Sequence, residues 1–252
     1  MRIIAVVNQK GGCGKTTSCV NVAAALAIKE KKVLLIDLDP QASSTSVFYP
    51  EEPNISAYEV IVDDQPIEKA ILETGQAGLK LLPSDITLSG ADLRLSTVIG
   101  REKRLKNAIK RTPLEFDYII IDTPPSLSIL TVNALTCATE IFVPINMSYF
   151  ALKGVKMLED TIAQVRENLE NPELKITGVI PTMFDPTTNV SKDVERFIRD
   201  YFKEKVFQTI IHSNIKLEEA HSAHKHIFEY APKSKGAEQY LKLTEEILNH
   251  EG

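Results

Sequence analysis

Residues 2–7 read Arg-Ile-Ile-Ala-Val-Val, and this apolar run breaks at once into Asn8-Gln9-Lys10-Gly11-Gly12-Cys13-Gly14-Lys15-Thr16-Thr17. A run of Ile and Val without polar alternation predicts a strand over Arg2 to Val7 that is buried on both faces. The glycines predict a tight turn, and Val20, Ala23, Ala24, Ala27 and Ile28 then recur at helical spacing, predicting a helix from about Thr17 to Lys29. The same punctuation continues down the chain. Buried strands are predicted at Val33–Ile36, Leu79–Leu82, Tyr118–Ile121, Ile141–Pro144 and Ile176–Ile180. Helical patterns fall at Glu102–Lys110, Leu152–Leu169, Val190–Phe202 and Gly236–Leu248. Strands alternating with helices imply an α/β fold: a mostly parallel twisted sheet with helices on both faces. No internal repeat, low-complexity tract or linker interrupts the pattern, so 1–252 is read as a single domain, with the two-proline stretch Tyr49–Asn54 as a surface loop.

Composition narrows the function classes. The chain has 252 residues, 43% hydrophobic and 25% charged, enough apolar material for a core without disulfides or structural metal. There is no tryptophan and only 6% aromatic content, which disfavours a stacking platform for single-stranded nucleic acid. The formal charge of -5 argues against a constitutively basic DNA binder but leaves room for a local basic patch. Cys13, Cys19 and Cys137 form no CxxC pair and read as core thiols of a reducing compartment. No signal peptide and no apolar stretch of ~20 residues is evident. A cytoplasmic location is therefore expected.

The glycine-rich turn carries the chemistry. Small residues let backbone amides surround phosphates, Lys15 would reach the β and γ phosphates, and the Thr16 hydroxyl would face Mg²⁺. Lys10 stands where the common phosphate-loop pattern has its first glycine. In this form, K-G-G-x-G-K-T-T, the segment resembles the deviant Walker A motif of the ParA/MinD family of ATPases. The resemblance implies a P-loop NTPase fold, ATP and Mg²⁺ as cofactors, and a nucleotide cradle formed by Lys10, Gly11, Gly12, Cys13, Gly14, Lys15, Thr16 and Thr17. It also implies an ATP-bound homodimer in which Lys10 reaches the phosphates of the other subunit. Two strand ends match the same family. Asp37-Leu38-Asp39-Pro40-Gln41 is similar to its first switch, in which Asp39 would polarise the attacking water and Asp37 would be structural or lie outside the Mg²⁺ ligands. Asp122-Thr123-Pro124-Pro125 resembles its Walker B end, with Asp122 holding Mg²⁺ through water. Catalytic candidates are thus Lys10, Lys15 and Asp39, and metal candidates Thr16, Asp39 and Asp122.

The resemblance covers nearly the whole chain and is nearest to chromosome-partitioning ParA proteins of the Soj type. Residues 209–220 and 230–237 are similar to the family's I-P-R-N-V-R-L-S-E-A and Y-D-P-R-S-R-G-A segments. Asn214 is the candidate base contact; an Asx turn or helix cap is the alternative for the same side chain. His212 replaces a proline there. The family's non-specific DNA contacts fall on Thr187 and Lys216, and Ser213 replaces an arginine, so cations are lost and only Lys216, Lys233 and Lys235 remain as DNA-binding candidates. Lys192, Arg196, Arg199, Lys203 and Lys205 alternate with acids and read as a solvated helix face. His212, His221, His224 and His226 read as surface or loop histidines, not a metal site. With no room upstream of the first strand for a helix-turn-helix, operator-specific repression is not expected.

The implied function is an ATP-driven switch that binds double-stranded DNA on the nucleoid and is stimulated by a ParB-like partner, positioning a chromosome, a plasmid or another cargo. A MinD-like membrane-associated positioner or a ParA-like positioner of a protein cargo is the alternative. The acidic tail 240–251 looks like a packed domain helix, not an amphipathic membrane anchor. An iron–sulfur reductase would need a companion for Cys137, a tyrosine kinase a tyrosine-rich tail, and a non-hydrolysing binding module would not need Asp39.

Overall fold

The computed structural model describes residues 1–148 and 153–250. Its seven strands are β1 (Arg2–Val6), β2 (Val33–Asp37), β3 (Leu72–Glu73), β4 (Leu79–Leu82), β5 (Tyr118–Asp122), β6 (Glu140–Asn146) and β7 (Lys175–Thr182). They form one sheet in the order β3-β4-β2-β5-β1-β6-β7. Every neighbouring pair is parallel except the short edge strand β3, which runs antiparallel to β4 and has no counterpart among the predicted strands. The chain winds from β1 past β5 to one side, then returns and builds β6 and β7 on the other. A ligand crevice opens at the carboxyl ends of strands where winding reverses.

Eleven helices are described: α1 (Lys15–Ile28), α2 (Ser43–Phe48), α3 (Ala57–Ile61), α4 (Ala91–Arg94), α5 (Arg104–Arg111), α6 (Ile129–Cys137), α7 (Lys153–Asn168), α8 (Asn189–Phe202), α9 (Ile215–Ser222), α10 (Ile227–Tyr230) and α11 (Lys235–Asn249). The five long helical patterns correspond to α1, α5, α7, α8 and α11; Leu152, the expected start of α7, lies outside the described residues. The remaining helices were not legible. α6 is buried along most of its length and rich in β-branched residues, so it shows no amphipathic period, and the others span too few turns to show one.

The strands lack polar alternation because both faces are covered. Ile4 and Val6 of β1 join Cys19, Ala23 and Leu26 of α1 and Tyr240, Leu243 and Ile247 of α11 on one face. Ile3, Ala5 and Val7 join Leu105, Ala134, Ile162 and Ile198 on the other. Gly178 in β7 permits a close approach: a Cβ there would sit 2.5 Å from the Phe207 ring and 2.7 Å from that of Phe142. Among the described residues, no helix is long and apolar enough to cross a membrane.

Candidate nucleotide site

The loop joining β1 to α1 is held from both sides. Asn8 donates through Nδ2 to the Pro144 carbonyl at 2.7 Å, and its Oδ1 accepts from the Lys10 amide at 3.0 Å. Thr182, at the end of β7, donates to the Cys13 carbonyl at 2.8 Å. Gly12 (φ 66°) and Gly14 (φ 86°) occupy left-handed backbone, where a Cβ would be strained. Cys13 is buried and contributes its backbone to the loop; burial pushes its thiol up. α1 begins directly after Gly14 with no side-chain cap, so its first-turn amides are available to an anion. Thr16 and Thr17 occupy that first turn. Lys15 is buried, with Nζ 3.4 Å from the Lys10 carbonyl, inside the curve of the loop. Lys10 points elsewhere: its Nζ donates to Asn146 Oδ1 at 3.1 Å and to the Ser148 hydroxyl, across the end of β6.

β2 and β5 run in register so that Asp37 and Asp122 are direct neighbours, both fully buried. Asp37 Oδ2 accepts from the Thr45 amide and hydroxyl, each at 2.8 Å, and its Oδ1 accepts from the Asp39 amide at 3.0 Å. Burial, followed by the neighbouring charge of Asp122, pushes Asp37 up to about 8. Asp122 Oδ2 accepts from the Ser44 hydroxyl at 2.7 Å, while its buried Oδ1 has no partner among the described residues. Burial raises Asp122 as well; the hydrogen bond from Ser44, the nearby Thr16 hydroxyl and the charge of Lys15 offset this in part. Asp39 sits on the loop after β2, with Oδ1 accepting from the Gln41 amide at 3.0 Å and its carbonyl accepting from the Ser84 hydroxyl at 2.6 Å. Sequence reasoning missed Ser44 and Thr45, which hold both carboxylates from α2. The run Ser43-Ser44-Thr45 was the available signal, since short hydroxyl side chains favour local hydrogen bonding.

Beside the loop lies a cavity of about 320 Å³ lined by Gly14, Thr17, Met183, His212, Asn214 and Leu217, among others. Asn214 lines this cavity and also caps α9, accepting from the Lys216 amide at 2.9 Å, so the two alternatives for it are not exclusive. His212 is anchored despite replacing a proline: its amide donates to Gln239 Oε1 at 3.2 Å, and its ring lies edge-on to Phe184 at 5.3 Å. The histidines do not all behave as surface groups. His226 is buried, stacked on Phe48 at 5.9 Å, because the chain turns inward there to cap α10. Among the described residues no cluster of three His, Cys, Asp or Glu could hold a metal. Of the DNA-binding candidates, Lys216 is paired with Glu219 at 2.7 Å, whereas Lys233 and Lys235 are exposed at and before the start of α11.

A parallel sheet whose central strand turns through a glycine-lysine loop into a helix, with a buried carboxylate ending the adjacent strand, defines a P-loop nucleotide-binding protein. A family described as "AAA domain" matches residues 1–176. The sporulation initiation inhibitor protein Soj of Bacillus subtilis is 43% identical over 98% of each chain. The chromosome partitioning protein ParA of Myxococcus xanthus is 42% identical over 99% of this chain and 89% of that protein. Among solved structures, a cobyrinic acid a,c-diamide synthase from Mycobacterium smegmatis with bound ADP and magnesium superimposes with a TM-score of 0.85. It is 36% identical and covers 99% of this chain and 95% of that one. The chain belongs to the ParA/MinD family of P-loop ATPases, on its Soj-type ParA branch.

Proposed function

We propose that this chain, acting as one domain over 1–252, is an ATP-dependent dimerising switch that positions chromosome, plasmid or other cargo and hydrolyses ATP slowly until a ParB-like partner stimulates it. The observation that carries the nucleotide reading is the orphaned Oδ1 of Asp122, buried beside Thr16 at the mouth of the loop. A buried carboxylate oxygen without a donor is costly unless a ligand completes it. Hard oxygen donors of this kind fit Mg²⁺. ATP and Mg²⁺ are accordingly the cofactors: Thr16 and Asp122 would hold the ion, with Asp39 at its rim, and the ion would supply neutralisation of phosphate charge. The residues do the rest. The amides of 11–17 cradle the phosphates, Lys15 compensates their charge, and the cavity beside Asn214 takes the base. Asp39, outside the buried pair, orients the attacking water.

Lys10 is the residue that makes the switch dimeric. Held on Asn146 and Ser148 beyond its own loop, it is free of its own phosphate site and reaches the nucleotide of a second subunit. ATP binding and hydrolysis thereby set the assembly state. In the dimer Lys233 and Lys235, each doubled, supply a basic patch for double-stranded DNA on the nucleoid, with Lys216 contributing less because Glu219 neutralises it. α11 packs its apolar face onto α1 and is not free to lie in a lipid surface, which favours DNA over membrane as the matrix. Light scattering of ATP-loaded protein tests the division of labour. Asp39→Ala should remain an ATP dimer without turnover, and Lys10→Ala should bind ATP yet stay monomeric. A dimeric Lys10→Ala protein rejects the trans role.

A further inference from the structure

A pocket of about 480 Å³ opens behind the first switch, where the ends of α1 and α2 meet the turn at 75–76 and α10. Phe48, His226 and Phe228 line it with aromatic rings, and Ile28 and Val47 with aliphatic carbon. Among the described residues, Glu229 is the one charged group on its wall. His226 is central: its ring lies 5.9 Å from that of Phe48 and 6.0 Å from that of Phe228. It is only 7% exposed, and its buried Nδ1 has no partner among the described residues. The wall is fixed in place, because the buried Asn21 side chain of α1 accepts from the Ile227 amide at 2.8 Å. Burial holds the His226 imidazole below its ordinary value, so the ring is neutral near neutral pH. In its commoner tautomer a neutral imidazole carries the proton on Nε2 and a lone pair on Nδ1.

Each feature asks something of an occupant. An unpaired buried acceptor asks for an N–H or O–H donor. Ring faces carry negative potential and attract a cation. A wall with one carboxylate and no lysine or arginine repels anions. A bare metal ion is disfavoured, since aromatic rings and a single carboxylate offer it few hard oxygen donors. An ammonium group on an alkyl stem meets these demands together. We propose that this pocket binds a linear alkyl polyamine, one of whose ammonium groups donates to His226 Nδ1 beside the Phe48 and Phe228 rings while its methylenes cover Ile28 and Val47. Glu229 contributes little, because exposed Lys225 already pairs with it at 2.6 Å. A ligand seated there packs against Phe48, the last residue of α2, the helix whose Ser44 and Thr45 hold Asp122 and Asp37.

The probe is putrescine, titrated calorimetrically into nucleotide-free protein at constant ionic strength, with butanediol as its uncharged counterpart. Nitrogen NMR of the histidine rings reads the contact itself. Putrescine should bind saturably at one site and move the His226 Nδ1 resonance, whereas butanediol should bind far more weakly and leave that resonance in place. His226→Phe keeps a ring against Phe48 but removes the acceptor, and should weaken putrescine about tenfold or more, as loss of a hydrogen bond from a charged donor does. The His226 side chain makes no capping bond, so α10 does not depend on it. Phe228→Leu keeps apolar bulk without the ring face and should cost roughly two- to thirtyfold. Glu229→Gln should cost about twofold or less. Glu167→Gln/Glu173→Gln, exposed and outside the pocket, should match wild type. If His226→Phe fails to fold, Phe228→Leu and the wild-type resonance decide. No saturable putrescine binding, butanediol binding as tight as putrescine, an unmoved His226 resonance at saturation, or wild-type affinity in both ring variants overturns the proposal. Weakening in the Glu167→Gln/Glu173→Gln variant as large as in Phe228→Leu also overturns it, since attraction to net charge would then account for the binding.

Discussion

Two buried charged clusters sit at opposite ends of the same sheet, and they are built differently. At the amino ends of the strands, Arg2 grips Glu140 through two bonds of 2.6 and 2.7 Å, Thr177 donates to Glu140 at 2.9 Å, and Arg2 also donates to the Ile247 carbonyl at 2.7 Å. Burial would raise Glu140, but the hydrogen bond and charge of Arg2 hold it below the usual carboxylate range. At the carboxyl ends, Asp37 and Asp122 face each other, the charge of Lys15 offsets only part of the rise of Asp122, and both are pushed up. The first cluster is complete within the chain and is structural. The second is short of positive charge, and its shortfall is what a phosphate-bound cation would make good. A buried charge with every partner present marks architecture; one with a partner missing marks a binding site.

The largest effect should come from removing the cation of the incomplete end. Lys15→Ala should weaken ATP binding by about 30-fold to a few thousandfold, on the scale of roughly 2–5 kcal/mol for truncating one member of a buried charge pair. Calorimetric titration checks it, and wild-type affinity would reject the phosphate-loop role of Lys15. Glu140→Ala should do the reverse, leaving ATP affinity unchanged while costing about 2 kcal/mol of stability in denaturant unfolding. That lies below the cost of a fully buried pair because the Arg2 side chain keeps 21% exposure.

Asp122→Asn sharpens the contrast. Replacing one of two facing carboxylates should raise the stability of the nucleotide-free protein by about 1–2 kcal/mol near neutral pH while abolishing Mg²⁺-dependent nucleotide binding. The sign follows from linkage. A carboxyl whose folded value is raised from 3.8 to about 8 holds a proton in the folded state that the unfolded chain has released. Wild-type stability therefore falls as pH rises through that window and levels off above it. Glu140 has the opposite sign, its contribution being lost as pH falls. Unfolding of wild type and Asp122→Asn across this range should show the slope flattened in the variant; identical slopes would mean that the pair does not control it. The smallest effect is expected at Lys216. Because Glu219 already neutralises it, Lys216→Ala should change the salt slope of duplex binding by less than the ~0.9 expected for one free phosphate contact. Lys233→Ala should approach that value.

The differences in what could be read beforehand follow from range. The six long strands were recognisable because burial on both faces leaves runs dominated by Ile, Val and Leu, a signal carried by near-consecutive residues. β3 was not, since two residues pairing antiparallel with β4 have no period. The phosphate loop was legible because glycine at left-handed backbone and Lys-Thr-Thr at a helix start are local requirements. His226 lies in a loop, as expected, but its burial was not legible because it depends on Phe48 of a helix far away in sequence.

From sequence alone came the strand–loop–helix frame, the family resemblance and the strand-end positions of Asp37 and Asp122, all set by residues within a few positions of one another. Tertiary structure decided what surrounds them: that β2 and β5 pair so the carboxylates meet, that Ser44 holds Asp122 and Ser84 holds the Asp39 backbone from other segments, and that Arg2 finds Glu140 138 positions away. Those relations depend on which elements pack together. Backbone preference and hydrophobic period act between near neighbours, whereas burial and charge pairing are set only once distant segments share the same space.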